Sequence, residues 1–373
     1  MHIKRFPVDV RRPIGNGIVF VLLLFFAAGP SLGQRVAKYG ADFLAGGVGA
    51  RALGMGGAFV ALAEDGSAGY WNPAGLEGLE HPAISYMHAE RFSGVVSFDY
   101  AGVAWPLTNR STFSLSFYRS GVNDIKNTLD AWDAVRDQPK PDPDQFITSF
   151  SAADWAFYFG YGRTISQKFR IGMTGKIIRR TIGDFADAWG YSFDIGMQYR
   201  SGPLKLGATV QDVSTMLQSW TVNSSSLQNL KDVFGDDLPE GGTEIVLPVI
   251  RLGSGYEIVY PDSRLQLAFD VDIAFDGQQG NAISVGKSSY HPRVGAEYSY
   301  HDAFALRAGL SRIQKTDREG WDITPTIGAG FSLSKVQFDY GFGDFAGLVS
   351  DLGYSHRLSV QLLLSTSRPD PTD

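Results

Sequence analysis

The sequence of 373 residues predicts an all-β membrane fold: a fourteen-stranded antiparallel transmembrane β-barrel with a short N-terminal lumen plug. Three observations lead there. A basic and then apolar leader opens the chain. Segments of period two, many long enough to cross a bilayer, fill it from residue 81 onward. The connections between those segments alternate between tight and long.

The leader comes first. Lys4, Arg5, Arg11 and Arg12 precede the apolar run "IVFVLLLFFAA" (18–28), and Gly29, Pro30, Ser31 and Gly33 follow. A basic n-region, a short h-region and a small-residue site make 1–33 a cleaved signal peptide. The run is shorter than the ~20 apolar residues that a spanning helix needs, and no later segment reaches that length. Composition narrows the rest. Cysteine is absent, which excludes disulfides, thiolate metal ligands, cysteine nucleophiles and a lipidated-cysteine anchor. A net charge of −6 offers no basic surface to nucleic acid. The 44 Gly, 25 Phe and 16 Tyr suit barrel strands better than a helical enzyme core.

Residues 34–80 form the second element. Their centre, "GARALGMGGAFVALAEDGSAGYWNPAGL" (49–76), is crowded with glycine and almost free of charge. It lacks a phosphate-loop lysine and a surrounding βαβ unit, so it is not expected to cradle a nucleotide. Gly56 and Gly57 permit close backbone packing, Asp65 can cap a short helix, and Asn72 with Pro73 is a helix-start signal before Ala74. Such a segment, tethered to the periplasmic rim, is expected to fold into the lumen as a plug. Arg51 or Asp65 should pair with lumen groups of opposite sign.

The barrel, 81–365, comes third, and a polar tail (366–373) ends the chain. In "RLQLAFDVDIAF" (264–275), Leu265, Leu267, Phe269, Val271, Ile273 and Phe275 fall on one face and Arg264, Gln266, Ala268, Asp270 and Asp272 on the other. "YSFDIGMQYR" (191–200) and "KVQFDYGF" (335–342) repeat the pattern. The strands are expected at 82–90, 94–106, 111–122, 153–165, 169–182, 188–200, 204–213, 247–259, 264–275, 290–300, 303–313, 324–333, 335–343 and 353–365. Globular strands run shorter, whereas membrane strands need ~9–11 residues. Connections such as "LTNR", "SQK", "SGP", "PDS" and "HD" are tight, and those at 123–152 and 214–246 are long. Outer-membrane barrels have this asymmetry; the short first connection near Phe92–Ser93 departs from it. Trp105, Tyr199, Tyr260 and Tyr300 at the short-turn ends, with Trp155, Trp189, Tyr191 and Tyr354 at the long-loop ends, read as two aromatic belts.

The polar faces then line the lumen: Asp99, Asp194, Glu257, Asp270, Asp272, Glu297 and Asp339, with Arg200, Lys205, Arg251, Arg264, Arg293, Arg307, Lys335 and Arg357. Mixed signs point to an internal ion-pair network rather than a selectivity ring. The six histidines have no metal-ligand spacing and no G-x-S-x-G occurs, so no catalytic residue, metal or cofactor is expected. Loop 214–246 carries apolar Met216, Leu217, Trp220 and Val222 beside Asp232, Asp236, Asp237 and Glu240, a candidate surface for a protein or lipid partner.

The stretch 49–76, with Trp71 and Asn72-Pro73-Ala74, resembles the N-terminal hatch of FadL-like outer-membrane barrels. The stretch "FDYGFGDFAGLVSDLGYSHRLSVQLLL" (338–364), with Leu352-Gly353 and His356-Arg357, resembles the PorV/PorQ family. The resemblance implies a fourteen-stranded barrel in the outer membrane of a Gram-negative cell. It also implies a part in type IX secretion: holding the C-terminal domains of secreted cargo and passing them to other secretion-system subunits at the surface. The rival expectation is a channel for fatty acids or other hydrophobic small molecules. That channel needs an apolar path and a gap in the wall, and a docking protein needs apolar outer loops and a sealed lumen. The chain's end, "LLLST" and a polar tail, departs from barrels that close on an aromatic residue.

Overall fold

In a computed structural model of the chain, the described residues are 35–36, 42–91, 94–133, 136, 138–214, 216–225, 227, 241–275, 283–285, 288–316, 320–343 and 355–366. The expected signal peptide, Tyr354, Leu352, Gly353 and the acidic tip of loop 214–246 lie outside them, as does all of the polar tail after Thr366.

Fourteen strands make the wall: β1 (Ala83–Arg91), β2 (Val96–Thr108), β3 (Ser111–Asn127), β4 (Thr148–Ser166), β5 (Phe169–Ile182), β6 (Ala186–Ser201), β7 (Leu204–Gln211, resuming at Met216–Val222), β8 (Gly242–Val246, resuming at Val249–Val259), β9 (Ser263–Ala274), β10 (Ser288–Tyr300), β11 (Phe304–Thr316), β12 (Gly320–Leu333), β13 (Val336–Gly343) and β14 (Ser355–Leu363). Each pairs antiparallel with the next, and β14 returns to β1, from Leu363 opposite Ala83 to His356 opposite Glu90. Closure removes the edges that an open sheet would expose to lipid. Among the described residues no helix is long and apolar enough to cross a membrane.

Side-chain alternation sorts the wall into two faces. Leu267, Phe269, Ile195, Met197, Phe338 and Tyr340 point outward, whereas Gln266, Asp270, Asp194, Gln198 and Asp339 are buried inside. Trp105, Tyr199, Tyr260 and Tyr300 are exposed near the short turns, and Trp189 and Tyr191 near the long loops.

Three expectations need correction. Residues 214–246 are not one loop: Met216–Val222 and Gly242–Val246 pair with each other, and the former also with β6, so the wall continues outward there. Likewise β3 and β4 run past the expected ends, Asn127 pairing with Thr148 after an irregularity at Val122–Ile125. Asp99 is not in the lumen. Phe98 and Tyr100, with Tyr118 on β3 and Tyr158 on β4, fill the inner face of this quarter of the barrel. Asp99 therefore lies on the outer face, where it accepts from the Tyr86 hydroxyl at 3.0 Å. The polarity rule inverts there because apolar plug residues, not water, meet the inner face.

The plug holds α1 (Asp42–Ala45), α2 (Ala50–Gly54), α3 (Ala68–Trp71) and a 3-10 helix (Pro73–Gly78). α2 leans on β11–β14 and the 3-10 helix on β3–β6, so the segment crosses the lumen from wall to wall. Val48, Met55, Phe59, Trp71 and Leu76 are buried with Met87, Tyr100 and Tyr158 of the wall in one apolar core.

Candidate functional site

The lumen is filled by a segment whose backbone hydrogen-bonding groups need partners, because short helices leave many of them unpaired. The wall supplies side chains. Asp270 on β9 accepts from Phe59 N at 2.7 Å and Val60 N at 2.8 Å. Ser359 Oγ on β14 accepts from Ala50 N at 2.8 Å. Tyr100 donates to Gly66 O and Thr174 to Gly69 O, each at 2.8 Å. Arg357, buried on β14, donates to Gly46 O at 2.9 Å, Gly47 O at 3.1 Å and Gly49 O at 3.3 Å.

Asn72 ties three pieces together. It is fully buried; its Nδ2 donates to Val60 O within the plug and to Met197 O on β6, both at 3.0 Å. Its Oδ1 accepts from Ala74 N at 3.2 Å and so caps the 3-10 helix, with Pro73 at the first position, where a missing N–H costs nothing. Trp71 Nε1 donates to Val48 O at 2.8 Å.

Charges complete the lock. Arg51 forms a two-pronged pair with Glu297, with Nε and Nη2 each 2.8 Å from a carboxylate oxygen. Glu297 also accepts from Arg307 at 2.5 Å, and Arg307 reaches Asp339 at 2.7 Å. Burial works against the Arg51 charge, but Glu297 outweighs it and holds the guanidinium above its ordinary pKa. Among the described residues Asp65 forms no pair with the wall. It accepts from Ser67 N at 2.8 Å and Ser67 Oγ at 2.5 Å and shapes the turn into α3.

Two plug carboxylates carry contacts that the motif reading passed over. Glu64 meets Arg170 at 2.8 Å, Lys205 at 3.9 Å, and Arg200. Glu77, 3% exposed, accepts from Thr112 at 2.8 Å and from the Thr164 hydroxyl at 2.6 Å. The available signal was two further acids beside Arg51 and Asp65 in a segment with few charges.

The wall beside the plug is not evenly sewn. Among the described residues β10 and β11 pair from Tyr300–Phe304 up to Val294–Leu310 and no farther, although β10 extends to Ser288 and β11 to Thr316. Both strands stay paired on their other sides, with β9 and β12. Farther out, Ile283–Val285 pairs with Tyr290–Ser288 on that side of β10. Ser311 is skipped in the β11–β12 register, and Pro292 and Pro325 beside it have no N–H for a ladder.

Hollows flank this seam. Outside, Phe269, Val294, Ala296, Ala308, Leu310 and Ile327 line an apolar groove of ≈ 580 Å³, deep because the two alanines are small. Inside lies a cavity of ≈ 150 Å³ bounded by Gly56, Gly57, Trp71, Arg293, Ser311 and Arg357. The plug turn presses on the seam from within. Gly56 has φ 65° and a Cβ there would stand 2.6 Å from Leu310 N, so only glycine fits. Arg293, at the inner mouth, is held by Asp272 at 2.6 Å.

The structure thus brings Arg51, Gly56, Gly57, Trp71, Asn72, Pro73, Ala74 and Arg357 into one plugged lumen. It does not bring Met216, Leu217, Trp220 and Val222 onto an outer loop. Met216 is fully buried, the other three are half-buried in the wall strand, and Trp220 donates to Glu244 at 3.0 Å. His356 is exposed on the outer face and meets the Tyr340 hydroxyl at 2.7 Å.

No family model matches the chain, and no curated protein does. Among solved structures it is similar to the toluene transporter TbuX of Ralstonia pickettii, with a TM-score of 0.54 and 13% identity over 85% of this chain and 98% of that one. It is likewise similar to the toluene transporter TodX of Pseudomonas putida, with a TM-score of 0.51 and 13% identity over 84% of this chain and 96% of that one. At such identity the likeness is one of fold: a closed fourteen-stranded antiparallel β-barrel.

Proposed function

We propose that the protein resides in the outer membrane and admits hydrophobic small molecules through its wall, as a FadL-like channel. The observation that carries this reading is the seam between β10 and β11, with an apolar groove outside it and a cavity inside it. An apolar solute dissolved at the membrane surface loses little by entering a groove lined with Phe269, Leu310 and Ile327, and gains nothing from an aqueous pore. The fold shared with two toluene transporters supports the same class of solute, toluene or other small apolar molecules. From the cavity the route to the periplasm is blocked by the plug, so passage requires a shift of the turn around Gly56 and Gly57, where Gly56 packs on the backbone of Leu310 and Val294 and Gly57 faces the Arg293 side chain.

The secretion role implied by the PorV/PorQ resemblance has less behind it. Its proposed anchors Leu217, Trp220 and Val222 lie in the wall, and Met216 faces inward. What favours it is the number of polar contacts that hold the plug in place. The test is uptake of labelled toluene, at limiting concentration, by cells with and without the protein in an otherwise channel-poor outer membrane. Faster uptake with the protein is expected. Equal uptake, together with loss of a secreted cargo on changing Leu217, Trp220 and Val222 to Ser, would transfer the assignment to secretion.

A further inference from the structure

The outer surface carries a feature that neither the plug nor the seam uses. Arg119 on β3, Trp155 on β4, Arg179 on β5 and Trp189 on β6 are successive partners in the ladder, each directly opposite the next. Alternation puts all four on the outer face, and Trp189 is 50% exposed. One row toward the membrane centre, the same strands present Phe117, Phe157, Ile177 and Tyr191. One row toward the long loops they present Gly121, Ala153, Thr181 and Asp187. The Arg–Trp row therefore lies where the apolar band ends, at the height of the lipid head groups on the long-loop side.

Arginine on the outer face of a barrel is costly at the midplane and cheap only near the interface. Here both arginines are also oriented. The Arg119 guanidinium stands 5.5 Å from the centre of the Trp155 ring, and that of Arg179 5.0 Å from the Trp189 ring. Stacking fixes the guanidinium plane and leaves its edge N–H groups available. Arg119 has Asp99 at 3.8 Å, beyond hydrogen-bond contact, and reaches Ser97 Oγ at 3.4 Å. Arg179 has no carboxylate at ion-pair distance among the described residues; its neighbour Arg180 points inward to Asp154 at 2.7 Å. The two cations are separated by two strand spacings, about 10 Å.

We propose that this row binds the phosphate-bearing head group of an outer-leaflet lipid, Arg179 as the principal contact and Arg119 as a second, with Trp155 and Trp189 packed along the sugar or glycerol and upper chain. Charge and height choose the occupant. Two oriented guanidiniums match phosphate oxygens pairwise, and at this depth water competes weakly for them. A protein partner would find an apolar band directly beneath the row, which belongs to acyl chains.

The test uses the purified full-length protein in detergent micelles, titrated with a bisphosphorylated lipid A and with the same lipid stripped of phosphate, bound lipid being counted by native mass spectrometry. The native protein should hold the phosphorylated lipid about tenfold more tightly, the effect of one or two charge-assisted contacts. Arg179→Gln should remove most of that preference, Arg119→Gln a smaller part, and Arg179→Lys should restore some of it. Heat-modifiable migration verifies that each variant is folded; should Arg179→Gln fail that check, Arg119→Gln and Arg179→Lys carry the comparison. Equal affinity of the native protein for the two lipids, or an undiminished preference in the folded Gln variants, would overturn the proposal.

Discussion

Arg357 joins the two ends of the chain: a residue of the last strand holds the carbonyls of Gly46, Gly47 and Gly49 at the start of the plug. Replacing it by Ala leaves three carbonyls short of a donor, at ~1–3 kcal/mol for each that water cannot reach. Arg357→Ala should expose residues around Gly46 to protease while the barrel remains heat-modifiable; unchanged cleavage would contradict the clamp. Glu297 is more exacting, since it neutralises Arg51 and Arg307 together. Glu297→Gln should lower the unfolding midpoint in urea by an amount equivalent to ~3–5 kcal/mol, because it strands buried positive charge. A change within error would mean that water reaches this cluster. Several of these residues were legible one by one. The pairing of Arg51 with a lumen acid follows from its being the lone basic residue of 49–76. Asp65 failed the same argument, because its carboxylate is taken up locally by the N–H and hydroxyl of Ser67 two residues on, a turn open to any Asp.

At the scale of elements, the strands were the most readable part. Period two separates Phe269 from Asp270 and Phe338 from Asp339 whatever the tertiary context, and lipid outside with polar plug contacts inside preserves the contrast. Phe269→Arg and Phe338→Arg should each impair folding into lipid vesicles by ~2–4 kcal/mol. Gln337→Arg, facing inward where Gln337 meets Asp339 at 2.8 Å, should be mild; equal effects would mean a wrong register. Legibility failed where the inner face is apolar. Tyr100, Tyr118 and Tyr158 face the plug, so parity by polarity misplaced Asp99. The outward continuation at Met216–Val222 was missed because a break after Gln211, with Asp212 at φ 55°, shifts the alternation. The seam was not legible at all. It arises from where a ladder stops, and no single residue type encodes that, although Pro292, Ser311 and Pro325 mark the place in hindsight.

At the scale of the whole molecule, a rigid closed wall surrounds a segment tied to it by ion pairs on one side and by glycine backbone packing at the seam. Deleting residues 42–76 should leave a folded barrel that leaks small polar solutes, measured as sensitivity to an otherwise excluded antibiotic. An intact permeability barrier would mean that the plug does not seal. The account stands or falls on entry through the wall. Because the chain has no cysteine, Ser311→Cys places a single thiol at the seam. Methanethiosulfonates of increasing size can then be attached and removed by reductant, while uptake of labelled toluene is followed in the same cells. The account predicts that uptake falls as the adduct grows from methyl to benzyl and returns on reduction. Uptake that is unaffected by complete labelling at Ser311→Cys would contradict it.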